Sequence, residues 1–454
     1  MAGKAWKAIV AALLLGAWLG CPLGATRAFA EDVTITWWIN PWRIRPPGMP
    51  ADQAPEAEDF PAWLAEQFEA SHPGVDVAWE VVTNAGYQEK LAAAIAAGSP
   101  PDITRPVGNF PQWVAWGLLE PIDPYLTAAD RSDFYDYALA EGEIGGKHYI
   151  WPWNNSDSGK GSAFLADVRV FESRGLSIPE VVPADYWTVD AFVDTLKKLT
   201  WDEGGDGTPD HYGIALTARG DPPINVAWMF IFGGQLVDAD ARRFVANQPK
   251  SVAGITFARD LITKHHVAPP GAEGMGIYDV INLFHQHKVA LGYGGPYEIG
   301  RIHRYYLSGQ LSEEFPVRLL PNPHVPSVGP VAFHTTGGFV VFKQRDPEKK
   351  ELVMEFARYL TSPEIGKLLE SLYYLSARKS ANAVMYQTLP QIAAEIDAYL
   401  RFIEHGKEYF GPPQLSTAPA DKYLQAMWEA VFAGSKTPQA AADEFVRQAN
   451  RVVF

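Results

Sequence analysis

The stretch FPAWLAEQFEASHPGVDVAWEVV, residues 60–82, changes its period halfway along. Phe60, Leu64 and Phe68 recur at helical spacing, so 60–71 reads as an amphipathic helix. His72-Pro73-Gly74 stops it, because proline cannot continue the hydrogen-bond ladder and glycine tolerates the turn. The residues that follow, Val75 to Val82, are rich in β-branched side chains and read as a strand. Working outward, Val33-Thr34-Ile35-Thr36-Trp37-Trp38-Ile39 reads as an earlier buried strand. Pro41, Pro46, Pro47, Gly48 and Pro50 then break the chain into a long loop. On the other side, a helix is expected from about Tyr87 to Ala97, ended by Gly98 and two prolines. Strand, helix, strand, helix is the α/β pattern. It recurs over 186–200, 251–266, 337–343 and 348–370, and the last hundred residues are mostly helical.

The N-terminus reads as an export signal. Lys4 and Lys7 precede an apolar run from Ala8 to Leu19, too short for the roughly 20 residues of a spanning helix. Ala28-Phe29-Ala30 follows, a small-x-small pattern for cleavage after Ala30. Leu19-Gly20-Cys21 resembles part of a lipidation signal, but Trp18 and Pro22 disagree with it, so cleavage after Ala30 is the expectation. Removal of 1–30 leaves 424 of the 454 residues and no cysteine, which excludes disulfides, thiolate metal sites and cysteine nucleophiles. The removed segment holds three basic residues and no acid, so the net charge falls from −15 to −18. Such acidity argues against nucleic acid and anionic lipid as partners. No later run is long and apolar enough to span a membrane, and the mature chain is expected to be a monomer of more than one domain. Aromatic residues make up 13% of the chain, enough to supply ligand-binding walls as well as core.

Several segments, taken in order, resemble the extracytoplasmic solute-binding proteins of ABC importers, in the branch similar to maltose-binding proteins. They are Phe68-Glu69 with His72 to Val77, Ala97 to Ile103, Gly117 to Ile122, Gly146 to Pro152, Tyr186 to Phe192, Asp210 to Ile214, Ala290 to Tyr297, Gly337 to Val341 and Glu355 to Glu364. The resemblance implies a two-lobed α/β periplasmic-binding-protein fold, a hinge of crossing segments and a ligand cleft between the lobes. It implies one lobe over 31–148 plus 336–374 and another over 149–335 plus 375–454, with crossings near 147–152, 333–338 and 374–380. It also implies no catalysis and no cofactor, with a sugar ligand and a membrane permease as partners. The chain departs from the family after the first crossing, where Ala163 to Val168 replaces the usual Tyr-Asn-Lys-Asp-Leu.

Open α/β sheets present ligands at the carboxyl ends of their strands. A sugar needs aromatic faces for its C–H surfaces and planar polar groups for its hydroxyls. After the first strand, Trp38, Asn40, Trp42 and Arg43 are candidates. Glu80 on the second strand and Asn109 after the third are further ones. Trp151, Trp153, Asn155 and Asp157 form an aromatic, amide and carboxylate cluster at the first crossing. Tyr297 follows Gly294-Gly295-Pro296, a piece that by resemblance sets a ring against sugar, and Glu298 is adjacent. Gly338 allows close backbone approach, Arg378 could reach back from the last crossing, and Trp428 resembles a late ligand-facing aromatic.

Asp202, Asp206 and Asp210 lie in an acidic loop that resembles a calcium site, although a plain acidic hairpin is the better reading. His265, His266, His285 and His287 lack a third matched ligand, so no metal is expected there. Two alternatives stay open. An exported carbohydrate-active enzyme would need a carboxylate pair, such as Asp157 with Glu80 or Glu298. The same fold could instead take glycerol phosphate or a polyamine. Arg43, Arg105 and Arg378 are few cations for an anion, and the candidate aromatics outnumber what a polyamine wants.

Overall fold

The computed structural model describes residues 32–454 except 51–52, 84–85, 107–109, 156–162, 180–186, 220–221, 239–242, 335, 389, 391–392, 394–395, 398, 401–406 and 409–417. Two principal sheets use the strands β1 (Val33–Ile39), β2 (Val75–Val81), β3 (Ile103–Thr104), β4 (Trp151–Asn154), β5 (Ala163–Asp167), β6 (Tyr212–Ile214), β7 (Val289–Tyr293), β8 (Val317–Pro321) and β9 (Gly337–Val341). The first sheet runs β2-β1-β3-β9-β4 and the second β8-β5-β7-β6. β1 is parallel to β2 and β3, and β9 runs antiparallel to β3 and β4. In the second sheet β6 and β7 are parallel, while β5 runs against both β7 and β8.

The period change in residues 60–82 becomes a helix, Asp59–Ser71, followed by β2. Phe60, Leu64 and Phe68 are all buried, as helical spacing requires. Glu69 ties the two elements together by accepting the Val77 backbone N–H at 2.9 Å. Along β1, side chains alternate between faces. Trp37 is fully buried, its ring 5.5 Å from Phe356 and 6.1 Å from Phe339. Trp38 points to the other face. The second sheet has its own aromatic core, where Phe164 meets Phe192 at 5.7 Å and Tyr293 at 5.3 Å. Burying each such side chain contributes roughly 1.5–3 kcal/mol.

The segments expected as crossings lie side by side. Gly337, Gly338 and Phe339 of β9 pair with Asn154, Pro152 and Trp151 of β4. On its other edge β4 meets residues 374–378. Ala377 donates to the Trp153 carbonyl at 3.0 Å, and Asn155 N–H donates to the Leu375 carbonyl at 2.8 Å. Asn382 clamps this segment, accepting from Ser376 N–H at 2.8 Å and donating to its carbonyl at 3.0 Å. β4 starts within the stretch expected as the first crossing, 147–152, and its hydrogen bonds put it in the first sheet.

No helix among the described residues is long and apolar enough to cross a membrane. The export signal and Cys21 lie outside the described residues.

Candidate ligand-binding site

Four rings from four separate parts of the chain form one continuous run. Trp42, in the loop after β1, lies 5.1 Å from Trp153 of β4 and 5.1 Å from Tyr374 of the last crossing. Tyr374 in turn stacks on Tyr297 at 5.5 Å, with planes 13° apart. Tyr297 opens the helix Pro296–Leu307 directly after β7. The run therefore bridges the carboxyl ends of one strand from each sheet, where open α/β sheets bind ligands. Trp42 and Tyr374 are partly exposed, whereas Trp153 and Tyr297 are buried. The Trp153 indole N–H has no hydrogen-bond partner among the described residues.

Polar groups flank the rings on both sides. In the first sheet, Asn40 is buried beside Trp42, accepting from Arg105 at 2.6 Å and donating to the Val82 carbonyl at 3.3 Å. In the second, Glu298 pairs with Arg301 at 3.0 Å, one helical turn on. Burial on its own would lower the Arg301 pKa, but the Glu298 charge beside it leaves it raised.

Of the expected residues, Asn40, Trp42, Trp153 and Tyr297 are thus brought to this region. The others are not. Trp38 packs at the opposite face of β1 against Tyr87, with the Lys90 ammonium 4.5 Å from its ring. Glu80 is an exposed partner of Lys90, and Arg43 is an exposed partner of Glu56 at 2.6 Å. Trp151 is fully buried core. Asn155 is turned onto the crossing, its amide donating to the Ser376 carbonyl at 3.0 Å. A side chain at Gly338 would strike the Trp151 carbonyl and come within 2.7 Å of Ile150, so this glycine serves strand packing. Asn109 and Asp157 lie outside the described residues.

Two expectations are overturned outright. Arg378 does not reach the cleft. It is 2% exposed, pairs with Asp130 at 2.9 Å and Asp133 at 3.3 Å, and lies over the Phe134 ring at 4.0 Å. A buried guanidinium must be neutralised and hydrogen-bonded, and these partners do both. Trp428 is also core, 1% exposed, with Phe432 at 5.4 Å. Its spacing with Leu424 and Val431 marks a helix face packed inward.

The acidic loop turns its carboxylates onto its own backbone. Asp202 accepts from Gly205 and Gly207 N–H, Asp210 from Glu203 and Gly204, and Asp206 from Thr208. Those backbone bonds hold the Asp210 carboxyl below its usual pKa. Among the described residues no cluster of three or more His, Cys, Asp or Glu could hold a metal. His287 is bonded to buried Asp167 at 2.5 Å.

Tyr374, Tyr293 and Arg301 were not anticipated. Tyr374 lies within the stretch expected as the last crossing, which was the available signal. Arg301 follows Glu298 at helical i,i+3 spacing.

The profile of the bacterial extracellular solute-binding protein family matches residues 63–395. A binding protein of Brucella abortus is 26% identical over 298 residues, 63% of this chain and 65% of that one. The match thus spans less than two thirds of that relative's length. An ABC transporter solute-binding protein from Thermotoga lettingae, bound with α-D-tagatose, superposes with a TM-score of 0.70 at 20% identity, covering 93% of this chain and 100% of that one. An ABC substrate-binding protein from Listeria monocytogenes, in complex with cycloalternan, also reaches 0.70 at 19% identity, covering 93% and 99%. The architecture is that of the two-lobed periplasmic binding proteins. With a profile match over most of its length, this chain belongs to the bacterial extracellular solute-binding protein family.

Proposed function

We propose that the protein captures a neutral carbohydrate between its two lobes and hands it to the permease of an ABC importer. The observation that carries this reading is the ring run Trp42, Trp153, Tyr374 and Tyr297, drawn from both sheets and from the crossings. Aromatic faces cover the C–H surfaces of a sugar, and the flanking Asn40 and Glu298 supply planar polar groups for hydroxyls. Micromolar capture requires about 8 kcal/mol. A few ring contacts and several paired hydroxyls can reach that. The solved structures from Thermotoga lettingae and Listeria monocytogenes hold tagatose and cycloalternan, which supports a carbohydrate ligand here.

The protein acts by binding and not by catalysis. Glu80 is engaged with Lys90 and Glu298 with Arg301, so neither carboxylate stands as one member of an acid–base pair. It works as a monomer outside the cytoplasm, after cleavage behind Ala30. An intact mass beginning at Glu31 would support that cut, and a lipid-modified mass at Cys21 would replace it. The central test is isothermal titration with tagatose, maltotriose and cycloalternan, alongside mass spectrometry of ligand retained through native purification. Heat with at least one sugar is expected. No heat with any of them, or a retained phosphate ester or polyamine, overturns the carbohydrate reading.

A further inference from the structure

The second sheet holds a small polar cavity of about 50 Å³ next to the ring run. Tyr293, Tyr297, Glu298 and Arg301 line it together with isoleucine side chains, and Tyr278, 66% exposed, stands in its wall. A smaller void of about 10 Å³ adjoins it and shares Tyr293 and Glu298. One water needs roughly 10–15 Å³ of such space. The larger cavity therefore admits a few heavy atoms. A whole pyranose ring is too big, and a hydroxymethyl group with its neighbouring hydroxyl fits.

Its polar lining is built and not incidental. Tyr293 ends β7 and is 5% exposed, yet its hydroxyl has no hydrogen-bond partner among the described residues. Leaving a buried hydroxyl unpaired costs about 1–3 kcal/mol, so such a group calls for an explanation. Burial drives its pKa upward, which keeps it a donor at neutral pH. Glu298 folds back over the strand end into the space where a side chain at Gly294 would otherwise sit. Gly294 also has φ 141°, a backbone conformation that favours glycine. The turn is thus shaped around this carboxylate. The charges of Glu298 and Arg301 cancel, so the cavity offers a donor and an acceptor without a net charge to attract a phosphate or an ammonium.

Resting on the carbohydrate reading above, we propose that this cavity is a subsite for a hydroxyl-bearing end group of the ligand. The Tyr293 hydroxyl donates to that group and the Glu298 carboxylate accepts from it, while the Tyr297 ring, shared with the main run, sets its approach.

The test is calorimetry of the full mature chain against tagatose, maltotriose and cycloalternan, with Tyr293→Phe and Glu298→Gln as variants and thermal melting of each. Tyr293→Phe removes a hydroxyl that has no partner among the described residues, so its melting temperature should hold or rise. Its Kd for the sugar that the wild-type chain binds should weaken about fivefold, the size of one lost hydrogen bond. Glu298→Gln should weaken the same sugar at least as much. If the wild type binds a sugar and both variants match it within twofold, this subsite is overturned and the wider reading stands. If the wild type binds none of the three, both fall together.

Discussion

Tyr297 and Tyr374 stack with ring centroids 5.5 Å apart and planes 13° from parallel. One opens a helix behind the second sheet, and the other belongs to a crossing segment that is hydrogen-bonded to the first sheet. The contact therefore joins a ring at the end of a strand in the second sheet to a segment bonded to the first sheet. Replacing Tyr374 with Ala should weaken saccharide binding about tenfold, equivalent to about 1.4 kcal/mol. Calorimetry reads the affinity, and unchanged far-ultraviolet circular dichroism would separate that loss from misfolding.

Trp42 and Trp428 should behave oppositely in fluorescence. Trp42 is partly exposed in the ring run, whereas Trp428 is enclosed in the C-terminal helices. Trp42→Phe should remove most of the ligand-induced change in tryptophan emission. Trp428→Phe should keep that change and lower the melting temperature.

Arg378→Met removes the buried partner of Asp130. Breaking such a pair from one side destabilises a protein by about 3–5 kcal/mol. Asp130 keeps Arg358 at 3.0 Å and the Thr127 hydroxyl at 2.7 Å, so the loss should fall at or below the low end of that range. Chemical denaturation should register that loss. The folded fraction should still bind its sugar within twofold of wild type, because Arg378 spends its contacts on Asp130, Asp133 and the Thr361 carbonyl.

Gly338→Ala tests the strand packing at the hinge. The new methyl group would strike the Trp151 carbonyl and crowd Ile150. Overpacking of this kind costs about 1–3 kcal/mol. A melting temperature equal to wild type would disprove the tight approach of β9 to β4.

His285 gives the stability a pH dependence. Burial, with smaller contributions from Arg301 and His287, pushes its pKa down from 6.5 to about 4. The Tyr305 and Phe315 rings also pack edge-on against it. The unfolded chain binds a proton near pH 6.5 and the folded chain only near pH 4, so stability falls as pH drops through that window. The loss approaches about 3 kcal/mol at the acid end. His285→Phe should flatten the unfolding free energy between pH 6.5 and 4, measured by urea denaturation.

The alternation of strands and helices was legible because each element carries its own period and stop signals, as residues 60–82 do. The crossing near 374 was legible only as a place. Within Leu372-Tyr373-Tyr374-Leu375 nothing local distinguishes a ligand-facing ring from a core ring. Arg378 misled for a different reason. Its neutralising partners, Asp130 and Asp133, lie about 245 positions earlier, and no local pattern announces such a pairing. Trp428 had the opposite history, since its helical spacing with Leu424 and Val431 already described a packed face. The Tyr293 and Glu298 cavity was hidden because its defining features are a buried hydroxyl with no partner among the described residues and a glycine backbone angle, which only three-dimensional packing exposes.

β4 is bonded on one edge to β9 and on the other to residues 374–378. Segments joined in this way cannot slide past one another without breaking main-chain hydrogen bonds, each worth about 0.5–1.5 kcal/mol. The 374–378 segment is therefore laced by its main chain into the edge of the first sheet, so any displacement of that segment must either carry the strand with it or break those bonds.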